Sequence, residues 1–175
     1  MKFGGTSVED AAAINRSCHI VEQRLPRKPF VVVSAIGGAT NNLLEAGALA
    51  ARGEIGKAME IAERLEKRHA ELLESTAEQF IRLRELLKAL GAIGEFSPRT
   101  QDLVASYGEV LSSLIFADRM KRLGFDAVHV DARQCLITDD RFGKASPIVD
   151  ITTVRLEEAA RPHLNAGREI GRAHV

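Results

Sequence analysis

Apolar positions recur along this chain in two rhythms, one helical and one continuous. Ile14, Cys18, Val21 and Leu25 are spaced four, three and four apart, which predicts a helix with one buried face. Ser7, with Asp10 three residues later, predicts its N-cap and acidic partner, and Pro26 and Pro29 predict its end. Ahead of it, residues 1–5 read as the end of a strand running into a turn. "FVVVSA" (30–35) is apolar without interruption and rich in β-branched residues, which predicts a strand buried on both faces of a parallel sheet. "IGGATNN" is then a glycine-rich turn, with Thr40 or Asn41 as cap of the next helix. From Leu43 to Leu90 there is no proline, and Gly53, Gly56 and Ser75 divide the stretch into two or three helices. One of them carries the stripe Phe80, Leu83, Leu87, Leu90, opposite charged faces that read as solvated surface.

"GAIGEFSP" interrupts the helical region. A helix from about Arg99 to Leu123 follows, expected to bury Leu103, Tyr107, Val110, Leu114 and Ala117 or Asp118, and Gly124 closes it. "DAVHV" (126–130) reads as a short strand, "QCLITDD" as a further strand leading into a loop, and 151–165 as a helix with Pro162 in its last turn. Strands alternating with helices predict an α/β domain with a mainly parallel sheet and helices on both faces. In such domains ligands sit at the carboxyl ends of strands. Three polar clusters fall at such ends: "KFGGTS", "SAIGGATN" and "DARQ".

Composition narrows the function classes. The 175 residues are 45% hydrophobic and 27% charged with zero formal net charge, an ordinary globular balance without the basic excess of a nucleic-acid binder. An anion is therefore expected at a local site. Cys18 and Cys135 match no metal spacing and are too few for a disulfide scaffold, so both read as buried thiols. No apolar run approaches the roughly 18 residues of a membrane span, and the N-terminus lacks a signal-peptide profile. The expectation is a cytoplasmic protein with no nucleic-acid or membrane partner. The five histidines show no ligand spacing, which argues against a metal hydrolase.

The clusters carry different chemistry. In "KFGGTS", Gly4 and Gly5 let backbone approach a ligand, the helix start beyond them favours an anion, and Lys2 adds a full positive charge. Those residues suit phosphate oxygens, although G-x-x-x-x-G-K-[ST] is absent; they suit a plain tight turn with a surface lysine equally well. "SAIGGATN" repeats the arrangement, with Ser34 and Thr40 able to bond a polar molecule. Taken singly it reads as a turn and a cap, but two such loops favour a shared ligand. In "SYGEVLSS", Gly108 interrupts a helical pattern at a cost of about 1 kcal/mol relative to Ala, which implies close packing or a nearby ligand. Glu109 can receive an ammonium group, although an isolated helix glutamate is more often solvated. Ser106, Ser112 and Ser113 read as small packing residues. "ITDDRFGKA" (137–145) reads as a solvated turn, or as a loop over a substrate.

The stretches "KFGGTSV", "VVVSAIGGATNNL", "SYGEVLSS", "VDAR" and "ITDDRFGKA", in this order and with these separations, resemble the aspartate kinases of the amino-acid kinase family. The resemblance covers residues 2 to about 167. It implies an αβα sandwich, an α/β fold, that transfers the ATP γ-phosphoryl to the β-carboxylate of L-aspartate. The product, 4-phospho-L-aspartate, opens the route to lysine, threonine, methionine and isoleucine. Carried onto this chain, the resemblance places Lys2 against the transferring phosphoryl and Gly4, Gly5, Thr6 and Ser7 in the phosphate-facing loop. It places Ser34 and Thr40 on the aspartate side and gives Glu109 the aspartate α-ammonium. Mg²⁺ is expected with ATP, held largely through phosphate oxygens, in an enzyme that is a homo-oligomer.

The family's later "T-x-G-R-G-G-S-D" motif, adenine pocket and ACT domains do not occur here. Residues 1–168 are therefore expected to be the N-terminal part of a catalytic domain, with a helical insertion at about 43–96. Such a part is expected to lack turnover alone and to expose apolar surface. "EIGRAHV" resembles a translated sequencing adapter, so 169–175 is expected to be a non-native tail. Two other readings remain open: a different carboxylate or carbamate kinase of the same family, and a non-catalytic small-anion-binding domain. Glu109 in "SYGE" and the long helical stretch favour aspartate kinase over the first.

Overall fold

Four short parallel strands bring the polar clusters to one edge. β1 (Lys2–Phe3) pairs with β2 (Phe30–Val33), β2 with β4 (Glu169–Ala173), and β4 with β3 (Ala127–Val130), giving the order β1-β2-β4-β3. The structure, a computed structural model, describes residues 1–73, 76–165 and, as backbone, 169–173. Phe3 lies opposite Val33, so the loops after β1 and β2 leave the sheet side by side. Residues 169–173, expected as a foreign tail, pair between β2 and β3.

The handedness of parallel crossovers sets the layers. Moving from β1 to β2, and from β2 over to β3, steps the same way across the sheet. Right-handed connections then put α1 (Ala11–Glu22) and α5 (Pro98–Arg122) on one face. The step from β3 back to β4 reverses, which puts α6 (Val149–Asn165) on the other. The packing agrees: α5 lies on β2, β3, β4 and α1, while α6 packs on β3 and β4. The expected α/β architecture is therefore present. Its core includes stacked Phe3 and Phe116 rings, 5.7 Å between centroids, and buried Val31 and Val33. Phe30 and Val32 are only half-covered, so β2 is less enclosed than its unbroken apolar run predicts.

α1 begins one turn later than the Ser7 cap predicts. Val8 is drawn into the core, 1% exposed, and Gly5–Ser7 winds as a single turn of 3₁₀ helix to deliver it. Asp10 then caps α1, its carboxylate accepting from the Ala13 N–H at 2.7 Å.

The long helical stretch resolves into α2 (Ala39–Ala51), α3 (Ile55–Ala70) and α4 (Ala77–Ile93), packed on one another, with α2 and α4 also on α5. Gly53, at φ +83°, makes the first break, Gly56 lies within α3, and Ser75 lies outside the described residues. The predicted stripe Phe80, Leu83, Leu87, Leu90 is fully buried, and truncating any of these leucines to Ala costs about 2–5 kcal/mol. Buried beside it, the His69 Nδ1 contacts the Leu65 carbonyl at 2.7 Å, and its ring meets Phe80 edge-on at 5.5 Å. His69 Nε2 has no partner among the described residues, and burial pulls this imidazole below its usual range.

α5 departs from the one-stripe expectation. Val104, Gly108, Leu111, Ile115 and Met120 are buried along with Val110 and Ala117, while Leu103 is exposed and Tyr107 and Leu114 half-buried. Covered by the sheet on one side and by α2 and α4 on others, the helix has no exposed residue from Val104 to Met120 to leave a clean period. "QCLITDD" is likewise not a strand. The Asp131 carboxylate accepts from the Arg133 N–H at 3.0 Å and starts a 3₁₀ turn over Ala132–Gln134.

Candidate active site

The loop after β1 turns at Gly4 and closes through bonds from Ser7 N–H to the Gly4 carbonyl (2.9 Å) and Val8 N–H to the Gly5 carbonyl (3.3 Å). The first amides of such a turn have no acceptor within it. Gly5 has no room for a side chain, because a Cβ there would stand 3.0 Å from the Ala35 carbonyl oxygen. Lys2 and Thr6 are exposed, and Lys2 makes no ion pair among the described residues. Ser7 is half-buried and its carbonyl accepts from the Ser17 hydroxyl at 2.8 Å, which ties the loop to α1.

The loop after β2 reaches α2 differently. Gly38, at φ +80°, is the N-cap and offers no side chain, so neither Thr40 nor Asn41 caps the helix. Both lie inside its first turn, and Asn42 bonds back to the Gly38 carbonyl at 2.9 Å. The Ala39 N–H donates to the Ile36 carbonyl at 2.8 Å, and among the described residues no side chain caps the amides of Thr40 and Asn41 that follow, an arrangement that favours an anionic group.

α5 locks this second loop in place. Gly108 is required by close packing: a Cβ there would stand 2.8 Å from the Ala35 Cβ and 3.8 Å from the Thr40 hydroxyl. The next residue, Glu109, is half-buried rather than on a fully solvated face; one carboxylate oxygen accepts from the Ala35 N–H at 3.3 Å. Burial holds the Glu109 carboxyl above its usual range, opposed by that bond. One turn on, the Ser112 hydroxyl donates to the Ser34 carbonyl at 2.7 Å, and the Ser34 N–H donates to the Phe3 carbonyl at 3.0 Å. Ala35 is thus the meeting point of Gly5, Gly108 and Glu109.

Thr40, Ser106 and Glu109 line a cleft of about 520 Å³ whose far wall is the 138–147 loop, through Thr138, Phe142 and Pro147. The "ITDDRFGKA" segment is solvent-exposed from Asp140 to Ala145, as a solvated turn would be, and it also borders the cleft. Asp139 organises it, accepting from Arg141 at 2.7 Å and from the Ser146 N–H at 3.2 Å. The loop is pinned to α5 by the Gly143 N–H on Asp102, at 2.8 Å, and by Arg99 over the Phe142 ring, at 5.6 Å. Arg133 of "VDAR" pairs with Asp131 at 2.7 Å and donates to the Ser106 hydroxyl at 3.3 Å, which orients that cleft residue.

Of the residues singled out in the sequence, Thr40 and Glu109 line the cleft. Lys2, Gly4, Gly5, Thr6, Ser7 and Ser34 belong to the adjoining loops, joined to it through Ala35. Three contributors went unrecognised. Ser112, three residues after Glu109 on the same helix face, carried a readable signal; Asp102 and Arg68, which reaches both loops from α3, carried none. Among the described residues no group of three or more His, Cys, Asp or Glu gathers as a metal site. Cys18 and Cys135 are buried, and burial pushes the Cys18 thiol up to about 11, out of nucleophilic use.

Known proteins are similar to this chain in sequence and fold. The profile of the "Amino acid kinase family" matches residues 1–167. Lysine-sensitive aspartokinase 3 of Escherichia coli (strain K12) is 32% identical over 185 aligned residues, covering 99% of this chain and 40% of that protein. Aspartokinase 1, chloroplastic, of Arabidopsis thaliana is 34% identical over 152, covering 81% of this chain and 27% of its own length. Two crystal structures of E. coli aspartokinase III superpose on 98% of this chain at 30% identity, covering 39% of theirs. One, with lysine and aspartate, gives a TM-score of 0.84; the other, with aspartate and ADP, gives 0.82.

Proposed function

The chain belongs to the amino acid kinase family, and from that premise we propose that it carries the aspartate-binding half of an aspartate kinase site. The observation that carries the reading is Glu109. Its carboxylate is held by the Ala35 N–H on the wall of a cleft that also presents Thr40 and the uncapped start of α2. An amino acid brings an ammonium for Glu109 and a carboxylate for the amides and hydroxyl. The same ligand class is bound by the E. coli relative, whose structures hold aspartate.

The reaction is transfer of the ATP γ-phosphoryl to the aspartate β-carboxylate. A carboxylate oxygen forms a bond to the γ-phosphorus as the bond to the ADP oxygen breaks, giving 4-phospho-L-aspartate and ADP. Such transfer demands positioning and charge neutralisation rather than a covalent nucleophile. Lys2 supplies a mobile positive charge to the transferring group. Gly4, Gly5, Thr6 and Ser7 offer backbone amides and hydroxyls to phosphate oxygens, and Ser34 fixes the end of β2 beside them. Mg²⁺ would come bound to the nucleotide's phosphate oxygens and would supply further charge neutralisation beside Lys2. Residues 1–168 serve as the N-terminal part of the catalytic domain, within a homo-oligomeric, cytoplasmic enzyme of amino-acid biosynthesis.

Calorimetric titration of L-aspartate tests the reading. We expect saturable binding that Glu109→Ala weakens at least about tenfold, the scale of a lost charged hydrogen bond. Binding of D-aspartate or acetate equal to that of L-aspartate, unchanged by Glu109→Ala, points instead to a non-catalytic anion site. A different small carboxylate bound more tightly points to another carboxylate kinase of the family. A coupled ATP–Mg²⁺–aspartate assay is expected to show no turnover by this chain alone; turnover abolished by Lys2→Ala would refute that expectation.

A further inference from the structure

We infer that Arg68 is a positioning residue whose guanidinium sets the spacing of the two ligand loops. The inference rests on the reading of those loops given above. Arg68 projects from the last turn of α3, and its two terminal nitrogens reach two separate segments. One donates to the Gly37 carbonyl at 2.7 Å and the other to the Glu9 carbonyl at 3.2 Å, 31 and 59 positions earlier in the chain. The two segments touch at this point, since a Cβ on Gly37 would stand 3.9 Å from the Glu9 Cβ.

Three features make this a clamp rather than a surface contact. The planar guanidinium holds its nitrogens in a fixed fork, so two carbonyls bonded to it cannot slide independently. The fork is carried on a rigid base, because the next residue, His69, is fully buried against Phe80 and bonded to Leu65. Arg68 also makes no ion pair among the described residues, so its side-chain hydrogen bonds there go to the two loop carbonyls. Glu9 precedes the Asp10 cap of α1, and Gly37 precedes the Gly38 cap of α2. The clamp therefore fixes the starts of both helices relative to each other, and with them the distance between the phosphate-facing turn and Thr40. Arg68 touches neither ligand in this account; it acts through the loops.

The test uses the 175-residue chain with Arg68→Lys, Arg68→Gln and Arg68→Ala. Lysine keeps the charge and the helix but reaches one carbonyl at a time. Amide hydrogen exchange is followed over 4–10 and 36–42, alongside calorimetric titration with L-aspartate and with Mg-ATP. All three variants should exchange faster in both loops, with the α4 and α5 amides unchanged, and should bind aspartate about tenfold more weakly. Wild-type exchange in either loop overturns the inference. So does full affinity in Arg68→Lys, which would mean that charge alone matters. If the wild-type chain binds neither ligand while the variants loosen both loops, the clamp stands and the functional reading falls.

Discussion

The loop after β1 passes into a helix capped by a side chain, the Asp10 carboxylate on the Ala13 N–H, whereas the loop after β2 passes into a helix with no side-chain cap. In sequence the two are close parallels: strand, paired glycines, hydroxyl, helix. In space their electrostatics diverge. Asp10 sets a carboxylate against the positive end of α1 and offsets part of its half-charge. The first loop is left with Lys2 and the amides of its 3₁₀ turn, a mobile charge suited to phosphate. The second keeps the start of α2 free of any side-chain cap, beside Thr40 and Glu109, an arrangement that fits the amino-acid ligand proposed for it. Glycines permit close approach in both loops, but the cap decides whether the helix end is left for a ligand.

Ala35 is where this division is most easily broken. The first loop, through Gly5, and α5, through Gly108, both press on it. Gly108→Val drives branched carbons into Ala35 and should cost about 3 kcal/mol, at the upper end of overpacking penalties. Gly5→Ala meets a backbone oxygen at 3.0 Å and should cost about 1 kcal/mol. Denaturant melts read both. A Gly108→Val chain as stable as wild type would mean that α5 does not hold the second loop, and that the two loops are not joined through Ala35.

Acidity separates the two regions next, because each leans on a buried titratable group of opposite sense. His69 backs the Arg68 clamp, and its folded pKa lies below the ordinary 6.5. The unfolded chain therefore binds the extra proton first. Stability from neutral His69 is complete above about pH 6.5 and falls below it by about 1.4 kcal/mol per pH unit until the folded pKa is reached. Glu109 runs the other way: its folded pKa lies above the ordinary 4.5, so its contribution is complete below that value and is lost as pH rises through the folded pKa. Melts at pH 7.5, 6.5 and 5.5 should show His69→Leu flattening the acid loss. Glu109→Gln should be more stable than wild type at pH 7.5 while binding aspartate more weakly. A Glu109→Gln chain less stable at pH 7.5 would show the carboxylate to be a structural asset rather than a ligand group held at a cost.

Much of this was legible in the sequence, and the failures share one cause. The stripe of α4 and the strands around Val33 and Val130 are local patterns, and local patterns survive folding. Ser7 and Asp10 are both competent caps; only the burial of Val8 selects Asp10, and that is a tertiary fact. The α5 seam is blurred because several elements cover that helix. In the site, the position of Gly108 in a helical pattern pointed to close packing or a nearby ligand, and the role proposed for Glu109 came from the motif around it. Ser112 stood one turn after Glu109 and was readable by helical spacing, whereas Asp102 on Gly143 and Arg68 on Glu9 and Gly37 join segments far apart in the chain, where no spacing rule reaches.

The caps themselves give the smallest effects and the sharpest contrast. Asp10→Ala leaves the start of α1 without its side-chain acceptor and should cost about 1 kcal/mol of stability. It also removes a negative charge beside the first loop, so phosphate affinity there should rise rather than fall. Thr40 occupies the matching place after β2 but caps nothing, so Thr40→Val should change stability by less than about 0.5 kcal/mol. The same change removes a hydroxyl from the cleft and should weaken aspartate about fivefold, the scale of one neutral hydrogen bond. Melting and titration of the two variants side by side thus cross: one loses stability and keeps its ligand, the other keeps stability and loses ligand. Thr40→Val losing stability as Asp10→Ala does would make the two loops equivalent after all, with the hydroxyl a cap and the start of α2 no longer open to a substrate.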